Sequence, residues 1–207
     1  MEKFKCNWQS VGSQANIRYK CGYCGTDTSP SNGWHTDNQN GLIGYALICT
    51  YCNRPSFVET QSNVVLKTTP SVVFGNQVNG LPDDLQQLYD EARKCTSIGA
   101  HTSAVLTCRK ILMHVAVEKG APKGKGFIDY VDYLADNNYI PPDGREWVDH
   151  IRSKSNEANH EILIMDIKDS DDLISFTEML LRLVYEFKHR LKKDTINTDT
   201  KKENGTN

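Results

Sequence analysis

The chain has 207 residues, 38% of them hydrophobic and 24% charged, with a net charge of −2 at neutral pH. This composition is typical of a soluble globular protein that can bury a core, and it excludes a uniformly basic surface for nucleic acid or anionic lipid. The sequence contains no apolar run typical of a signal peptide or a membrane span. Seven cysteines, an odd number, favour a reducing compartment over a disulfide framework. We therefore expect a cytoplasmic protein with no membrane association.

The N-terminal part contains two Cys-x-x-Cys pairs, Cys21/Cys24 and Cys49/Cys52, separated by 24 residues. Each pair can hold one ion across a tight turn, and two such turns complete the tetrahedral shell of a structural zinc. The alternative, a redox dithiol, needs only one pair. His35 could replace one cysteine, although its polar surroundings predict an exposed side chain. We predict that the four cysteines bind one structural Zn²⁺.

Short β-prone runs follow or overlap the cysteine pairs. Their ranges are 42–50, 57–60, 64–66 and 72–74. They predict a small antiparallel zinc ribbon over residues 1–62, too small to fold without its metal. The glycines and prolines of residues 63–80 predict a linker with short strands.

From residue 81 the apolar residues recur at helical spacing. The spacing predicts helices at 81–95, 101–118 and 127–134, a fourth that carries residues 151–162, and a fifth that is capped by Ser170–Asp172 and apolar as far as Phe187. These helices form a predicted domain over residues 81–193. The polar residues 194–207 predict a disordered tail.

The fourth predicted helix carries a polar stripe. Arg152, Asn156 and His160 are each four residues apart, so their side chains lie along one line of the helix. A cation, an amide and an imidazole in this arrangement could hold a phosphate or transfer a proton. The alternative is a solvated helix face with a capping histidine.

A second candidate is the glycine-rich loop that contains Lys119, Lys123 and Lys125 and leads into a helix. Backbone amides at a helix start can receive an anion, so the three lysines are candidate nucleic-acid contacts. The alternative is a flexible turn, because the full phosphate-loop spacing is missing. In the preceding helix, we expect Arg109 to pair with an acidic residue of a neighbouring helix.

Residues 81–190 resemble a bacterial domain of unknown function that occurs with restriction-enzyme subunits. The resemblance rests on Leu88-Tyr-Asp-Glu-Ala92, Ala104-Val-Leu-Thr-Cys-Arg-Lys-Ile-Leu112 and the Arg152 to His160 segment. That domain is similar to the HEPN superfamily of helical, usually dimeric domains, whose active members are metal-independent RNases. The superfamily motif implies that Asn156 and His160 occupy site positions, while Ser155 stands where active members carry an arginine.

Together these observations predict a mainly α protein, a five-helix HEPN-like bundle with a small N-terminal β zinc ribbon. We expect a homodimeric, nucleic-acid-associated module of bacterial or phage conflict systems, with RNA and DNA both open as ligands. One alternative is a metal-independent RNase that uses His160 as general acid and base, with Asn156 and Arg152 beside the phosphate. The other is a non-catalytic adaptor for a protein partner. Because Ser155 offers no guanidinium for a developing charge, we expect binding rather than catalysis.

Overall fold

The computed structural model describes residues 7–11, 17–30, 32–144, 146–149, 151 and 164–187. The chain forms two compact units. The first, named the β unit, contains residues 1–73 and 96–99. The second, named the helical unit, contains residues 74–95 and 100–207.

The β unit contains a five-stranded antiparallel sheet and a separate two-stranded hairpin. The strands are β1 (Trp8–Ser10), β2 (Tyr19–Lys20), β3 (Asp27–Thr28), β4 (Gly33–Thr36), β5 (Leu42–Ile48), β6 (Pro55–Gln61) and β7 (Val64–Thr69). Their order in the large sheet is β1-β4-β5-β6-β7, and β2 pairs with β3. Ser62 and Asn63 have φ angles of 48° and 67°, which suit the two-residue turn between β6 and β7.

The two faces of the large sheet differ in polarity and burial. Along β6, Ser56, Val58 and Thr60 are buried, while Phe57 and Glu59 are exposed, as the two-residue period of a strand requires. The buried face belongs to a small core that includes two cysteines. Its members are Val11, Ile17, Tyr19, Cys21, Tyr45, Leu47, Cys49 and Val58.

The predicted fold class, a mainly α bundle with only a small ribbon, is wrong. The N-terminal region forms a five-stranded sheet, so the chain combines a substantial β unit with a helical unit. Two short strands, β1 and β4, extend the sheet, and neither carries an apolar alternation that the sequence would reveal. In the segment assigned to a linker, β7 is a full strand paired with β6, whereas residues 72–74 form no strand.

The helical unit is built around a long apolar helix. Its described helices are α1 (Asp83–Ser97, whose last two residues belong to the β unit), α2 (His101–Glu118), α3 (Phe127–Asp136) and α4 (Ile167–Leu181). The bounds of α2 match the predicted bounds. Its apolar residues lie on more than one side, as is typical of a helix at the centre of a unit. Val148 and Ile151 are also buried.

The last helix begins four residues earlier than a cap at Ser170 would allow. Asp166 is the N-cap, and its carboxylate accepts the N–H of Asp169 at 2.9 Å. The carboxylate of Asp169 accepts the N–H of Asp166 at 3.1 Å, which completes a reciprocal cap. Ser170 is fully buried and lies 2.8 Å from Nδ1 of His101, so it serves packing rather than capping.

A π-helical turn at Arg182–Glu186 continues α4 and changes which side chains are buried. The extra residue in a π turn rotates the following positions around the helix axis. Leu183 and Phe187, which the spacing places on the apolar face, are therefore exposed, while Val184 and Glu186 are buried.

Residues 74–77, named the strap, are held by side chains of two helices. The side chain of Arg93 donates to the carbonyls of Phe74 and Gly75, Tyr89 donates to that of Asn76, and Arg182 donates to that of Gln77. Glu178 accepts the backbone N–H of Asn76 at 2.6 Å. These bonds satisfy backbone groups of a segment with no secondary structure of its own.

Candidate functional site

The two Cys-x-x-Cys turns, named the knuckles, have the same backbone geometry. Each lies at the tip of a hairpin, the first between β2 and β3 and the second between β5 and β6. In the first knuckle the N–H of Cys21 donates to Thr26, and the N–H of Gly25 donates back to Cys21. In the second, the N–H of Cys49 donates to Arg54, and that of Asn53 donates back to Cys49.

A residue with positive φ follows the second cysteine of each knuckle. Gly25 has a φ of 71° and Asn53 a φ of 56°, and these are the residue types that adopt the left-handed region at low cost. A side chain at Gly22 is excluded, because a Cβ there would lie 2.0 Å from the carbonyl oxygen of Pro70. The residue types at positions 22, 25 and 53 therefore suit the backbone of the two turns.

The four cysteine sulfurs converge on one point. The Sγ atoms of Cys21 and Cys52 are 3.8 Å apart, as are those of Cys24 and Cys49, and all four lie within 4.8 Å of one another. With Zn–S bonds of about 2.3 Å, the sulfurs of a tetrahedral site lie about 3.8 Å apart. Thus the donor set and its spacing fit a four-thiolate metal site, as the sequence predicts.

Hydrogen bonds favour the thiolate form at two of these cysteines. The hydroxyl and backbone N–H of Thr26 lower the pKa of Cys24 to about 6. At Cys49 burial raises the pKa, but backbone N–H groups of Cys52 and Tyr51 outweigh it and leave the pKa below its usual value. Burial raises the pKa of Cys52 to about 11.

His35 does not join the four sulfurs among the described residues. It lies in β4, half-buried rather than exposed, and its Nδ1 is 2.7 Å from the carbonyl oxygen of Thr36. Its ring also contacts that of Tyr45, with 5.9 Å between the ring centres. These contacts explain why the side chain of His35 is half-buried in the sheet.

The three predicted loop lysines have different environments. Lys119 donates to Glu118 at 2.7 Å and lies 4.7 Å from the centre of the Tyr185 ring, while Tyr185 donates a short hydrogen bond to the same carboxylate. The charge of Lys119 is therefore already neutralised. Lys123 and Lys125 are exposed, and within the described part of the chain neither side chain has a carboxylate partner.

Arg109 is a further cation beside this loop. From the sequence, it was expected to pair with an acidic residue of a neighbouring helix. Its guanidinium stacks on the ring of Phe127 at 4.4 Å instead of pairing with a carboxylate of the described residues. Burial lowers its pKa. Because Phe127 begins α3, two residues after Lys125, the stack places Arg109 beside the basic loop.

The polar stripe on the fourth predicted helix, Arg152, Asn156 and His160, lies outside the described residues, as does Ser155. Its role therefore stays a prediction from the sequence. Of the residues before it, Trp147 stacks on Phe176 with 6.1 Å between the ring centres.

An aromatic surface that was not predicted from the sequence lies on the outer face of the large sheet. Trp34 and Phe57 lie in one cross-strand row through Ala46, and Trp8 lies in the next row, opposite Thr36. All three aromatic side chains are about half exposed. Trp8 and Phe57 line a shallow hollow of about 580 Å³. The signal was an aromatic residue on each of three strands, which becomes a surface only once the strand order is known.

The fold and site define a chain with a four-thiolate β unit and a helical unit. The model of the family described as Domain of unknown function (DUF4145) matches residues 90–199, more than half of the chain. The chain belongs to this family. Comparisons with curated proteins and with solved structures found no match. None of the described helices is both long and apolar enough to cross a membrane.

Proposed function

We propose that this protein is a nucleic-acid-associated module in which a structural zinc holds the β unit together. Four thiolates are the donor set of structural zinc sites, and a closed shell of protein ligands offers no position for substrate. The spacing of the sulfurs of Cys21, Cys24, Cys49 and Cys52 supports this ligand set.

The observation that carries the nucleic-acid proposal is the group of cations at the start of α3. Arg109, Lys123 and Lys125 lack carboxylate partners within the described residues. Because the net charge of the chain is −2, binding to a polyanion needs a local cationic surface of this kind. Such cations contact phosphates and position the nucleic acid without reading its sequence.

A link to restriction and phage-defence systems is part of this proposal. It rests on the motif resemblance of residues 81–190 to restriction-associated domains and, more distantly, to the HEPN superfamily. The resemblance suggests a homodimer as the functional state.

Binding of labelled single-stranded RNA and DNA, measured by fluorescence anisotropy over a series of salt concentrations, tests the proposal. We expect the affinity to fall steeply with salt, because phosphate contacts release counterions. The double variant Lys123→Gln/Lys125→Gln should reduce the slope of log K against log salt by about 1.4, since each contact with a single strand contributes about 0.7. Lys168→Gln, an exposed lysine on α4, is the matched control and should leave the slope unchanged.

A protein-binding adaptor is the second candidate, and the outer sheet face favours it. Among the described residues, the charged side chains whose strand register places them on that face are Glu59 and Lys67, which lie directly opposite each other. Exposed aromatic patches of this kind commonly mark protein interfaces. A wild type that binds no nucleic acid at low salt, and a self-association that Trp34→Glu abolishes in sedimentation experiments, would favour the adaptor over the nucleic-acid module.

A further inference from the structure

The knuckles present two exposed tyrosines at equivalent positions. Tyr23 precedes Cys24, and Tyr51 precedes Cys52, so each ring is carried by the turn that holds two of the sulfurs. Tyr23 is 45% exposed and Tyr51 is 77% exposed. Within the described residues neither tyrosine hydroxyl has a hydrogen-bond partner, so hydrogen bonding inside the β unit does not account for these rings.

Arg54 adds a positive charge to this surface. It follows the second knuckle, and its guanidinium lies 5.3 Å from the centre of the Tyr23 ring. The side chain is exposed, and no carboxylate of the described residues pairs with it. An exposed guanidinium on an aromatic ring is complementary to a phosphate, which it can bind through two parallel hydrogen bonds.

Hydrogen bonds hold the backbone of this surface. Each tyrosine lies between the two cysteines of its knuckle, and the backbone hydrogen bonds of both turns fix its main chain. Binding a ligand therefore costs little ordering of the backbone on the protein side. Exposed aromatic rings beside a cation are the arrangement by which proteins hold unpaired bases.

The outer sheet face is a poorer place for a polyanion. Its aromatic rings are comparably exposed, but Lys67 there lies opposite Glu59, so the face offers a phosphate no net positive charge. The knuckles combine aromatic rings with an unpaired cation. The charge distribution of the β unit therefore favours the knuckles over the outer sheet face as the site for a polyanion.

We propose that Tyr23, Tyr51 and Arg54, named the knuckle surface, form a binding site for single-stranded nucleic acid. The two tyrosine rings stack on unpaired bases, and Arg54 contacts the phosphate between or beside them. Stacked bases of a duplex are not accessible to such rings, so the site selects single strands. This inference rests on the proposed nucleic-acid function and names the type of strand and the residues that hold its bases.

The test uses the full-length, zinc-loaded protein and a labelled oligonucleotide of about 12 thymidines, within the range of single-strand site sizes. Tyr23→Ala and Tyr51→Ala should each weaken binding by about fivefold to a hundredfold, the effect of losing one stacked base. Tyr51→Phe keeps the ring and should bind as the wild type does. Arg54→Gln should reduce the salt slope by about 0.7. A duplex of the same length should bind much more weakly than the single strand.

Two measurements separate a lost contact from a lost fold. The zinc content of each variant shows whether the knuckles are intact. Photocrosslinking of an iodouracil-substituted strand to the wild type needs no variant, and the crosslinked peptides should contain Tyr23 or Tyr51. Phe57→Ala is the matched control, since it removes an aromatic ring of similar exposure from the outer sheet face.

The outcomes distinguish the inference from the function on which it rests. If the Lys123/Lys125 variant weakens binding while the tyrosine variants and crosslinks show no effect at the knuckles, the inference is wrong and the proposed function stands. If Phe57→Ala weakens binding and Tyr51→Ala does not, the single strand lies on the sheet face and the inference is again wrong. If the wild type binds no nucleic acid, or only a protein, both proposals fail.

Discussion

The β unit and the helical unit are stabilised in different ways. Among the described residues, the β unit buries eight hydrophobic side chains in its core, and two of these are the candidate ligands Cys21 and Cys49. The core of the helical unit contains 24 buried side chains from all its described helices. A core as small as the first rarely holds a fold by itself, whereas the second is large enough to do so.

This difference predicts where a bound metal would matter. In the β unit the four thiolates come from two hairpins, so metal binding and folding should be one process. In the helical unit apolar packing and the bonds to the strap take that role. Substitutions in the β unit should therefore leave the helical fold intact, and substitutions in the helical unit should leave zinc binding intact.

The largest effect is expected for Cys49→Ser, which removes a buried ligand of the candidate site. Because structural zinc sites contribute on the order of 10 kcal/mol to folding, the β unit should lose both its zinc and its fold. Atomic absorption should find no bound zinc, and limited proteolysis should cleave within the β unit while the helical circular dichroism signal persists.

Cys95→Ser is the control for this variant, because Cys95 lies in α1 outside the four-sulfur cluster. It should retain one zinc per chain. A β unit that stays folded and protease-resistant in Cys49→Ser would contradict the dependence on metal.

The corresponding substitution in the helical unit is Phe176→Ala. Phe176 is buried and stacks on Trp147, so its loss should reduce the free energy of unfolding by about 3–5 kcal/mol. Denaturant titration followed by circular dichroism measures this change, and the zinc content should not change. Leu106→Ala, at an exposed position of α2, should change the unfolding free energy by less than about 0.5 kcal/mol.

The hydrogen bonds of the strap predict that the stability of the helical unit depends on pH. Burial raises the pKa of Glu178, but hydrogen bonds from Asn76 and Arg182 outweigh it and hold the pKa below its usual value of 4.5. A lowered pKa contributes stability above the unfolded value, and that stability is lost as the pH falls through the folded value. Glu178→Gln should cost about 1–3 kcal/mol at neutral pH.

Unfolding titrations between neutral and acidic pH check this prediction. The difference in stability between wild type and Glu178→Gln should shrink as the pH falls below 4.5, the usual pKa. An equal loss of stability in both proteins over that range would show that the strap bonds do not depend on the charge of Glu178.

The smallest effect is expected at the start of α4. Asp166→Ala removes the observed N-cap and should cost about 1 kcal/mol of unfolding free energy. Asp171→Ala alters the residue that the sequence pattern favoured as part of the cap, and it should have little effect because Asp171 is exposed within the helix. Thermal unfolding of the two variants compares the positions directly. A larger loss for Asp171→Ala would show that the helix starts later.

Local patterns were enough to predict the cysteine cluster and most of the described helices. Two Cys-x-x-Cys pairs define a ligand set because each turn is short and stiff. The bounds of α2 follow from apolar residues that recur through its length, followed by Gly120 beyond its end. Strands β1 and β4 were missed, since a strand of three or four residues has too few positions to show an alternation.

Pairing between distant residues could not be predicted from such patterns. The sequence presents Lys119 as equivalent to Lys123 and Lys125, yet its ammonium lies against the ring of Tyr185, a residue of the π turn that also donates to Glu118. The contact of Arg109 with Phe127 likewise depends on how α3 packs against α2. These are tertiary contacts between side chains with no fixed sequence spacing.

By itself the sequence determined the two Cys-x-x-Cys pairs, the turn residues of the knuckles and the apolar phase of α2, because each depends on residues only a few positions apart. Only the tertiary structure decided that the N-terminal part is a five-stranded sheet, and that the guanidinium groups of Arg54 and Arg109 lie on aromatic rings. Strand order and these ring contacts join residues that are far apart in the chain. For the same reason, the equivalent positions of Tyr23 and Tyr51 became apparent only when the two knuckles were seen around one cysteine cluster.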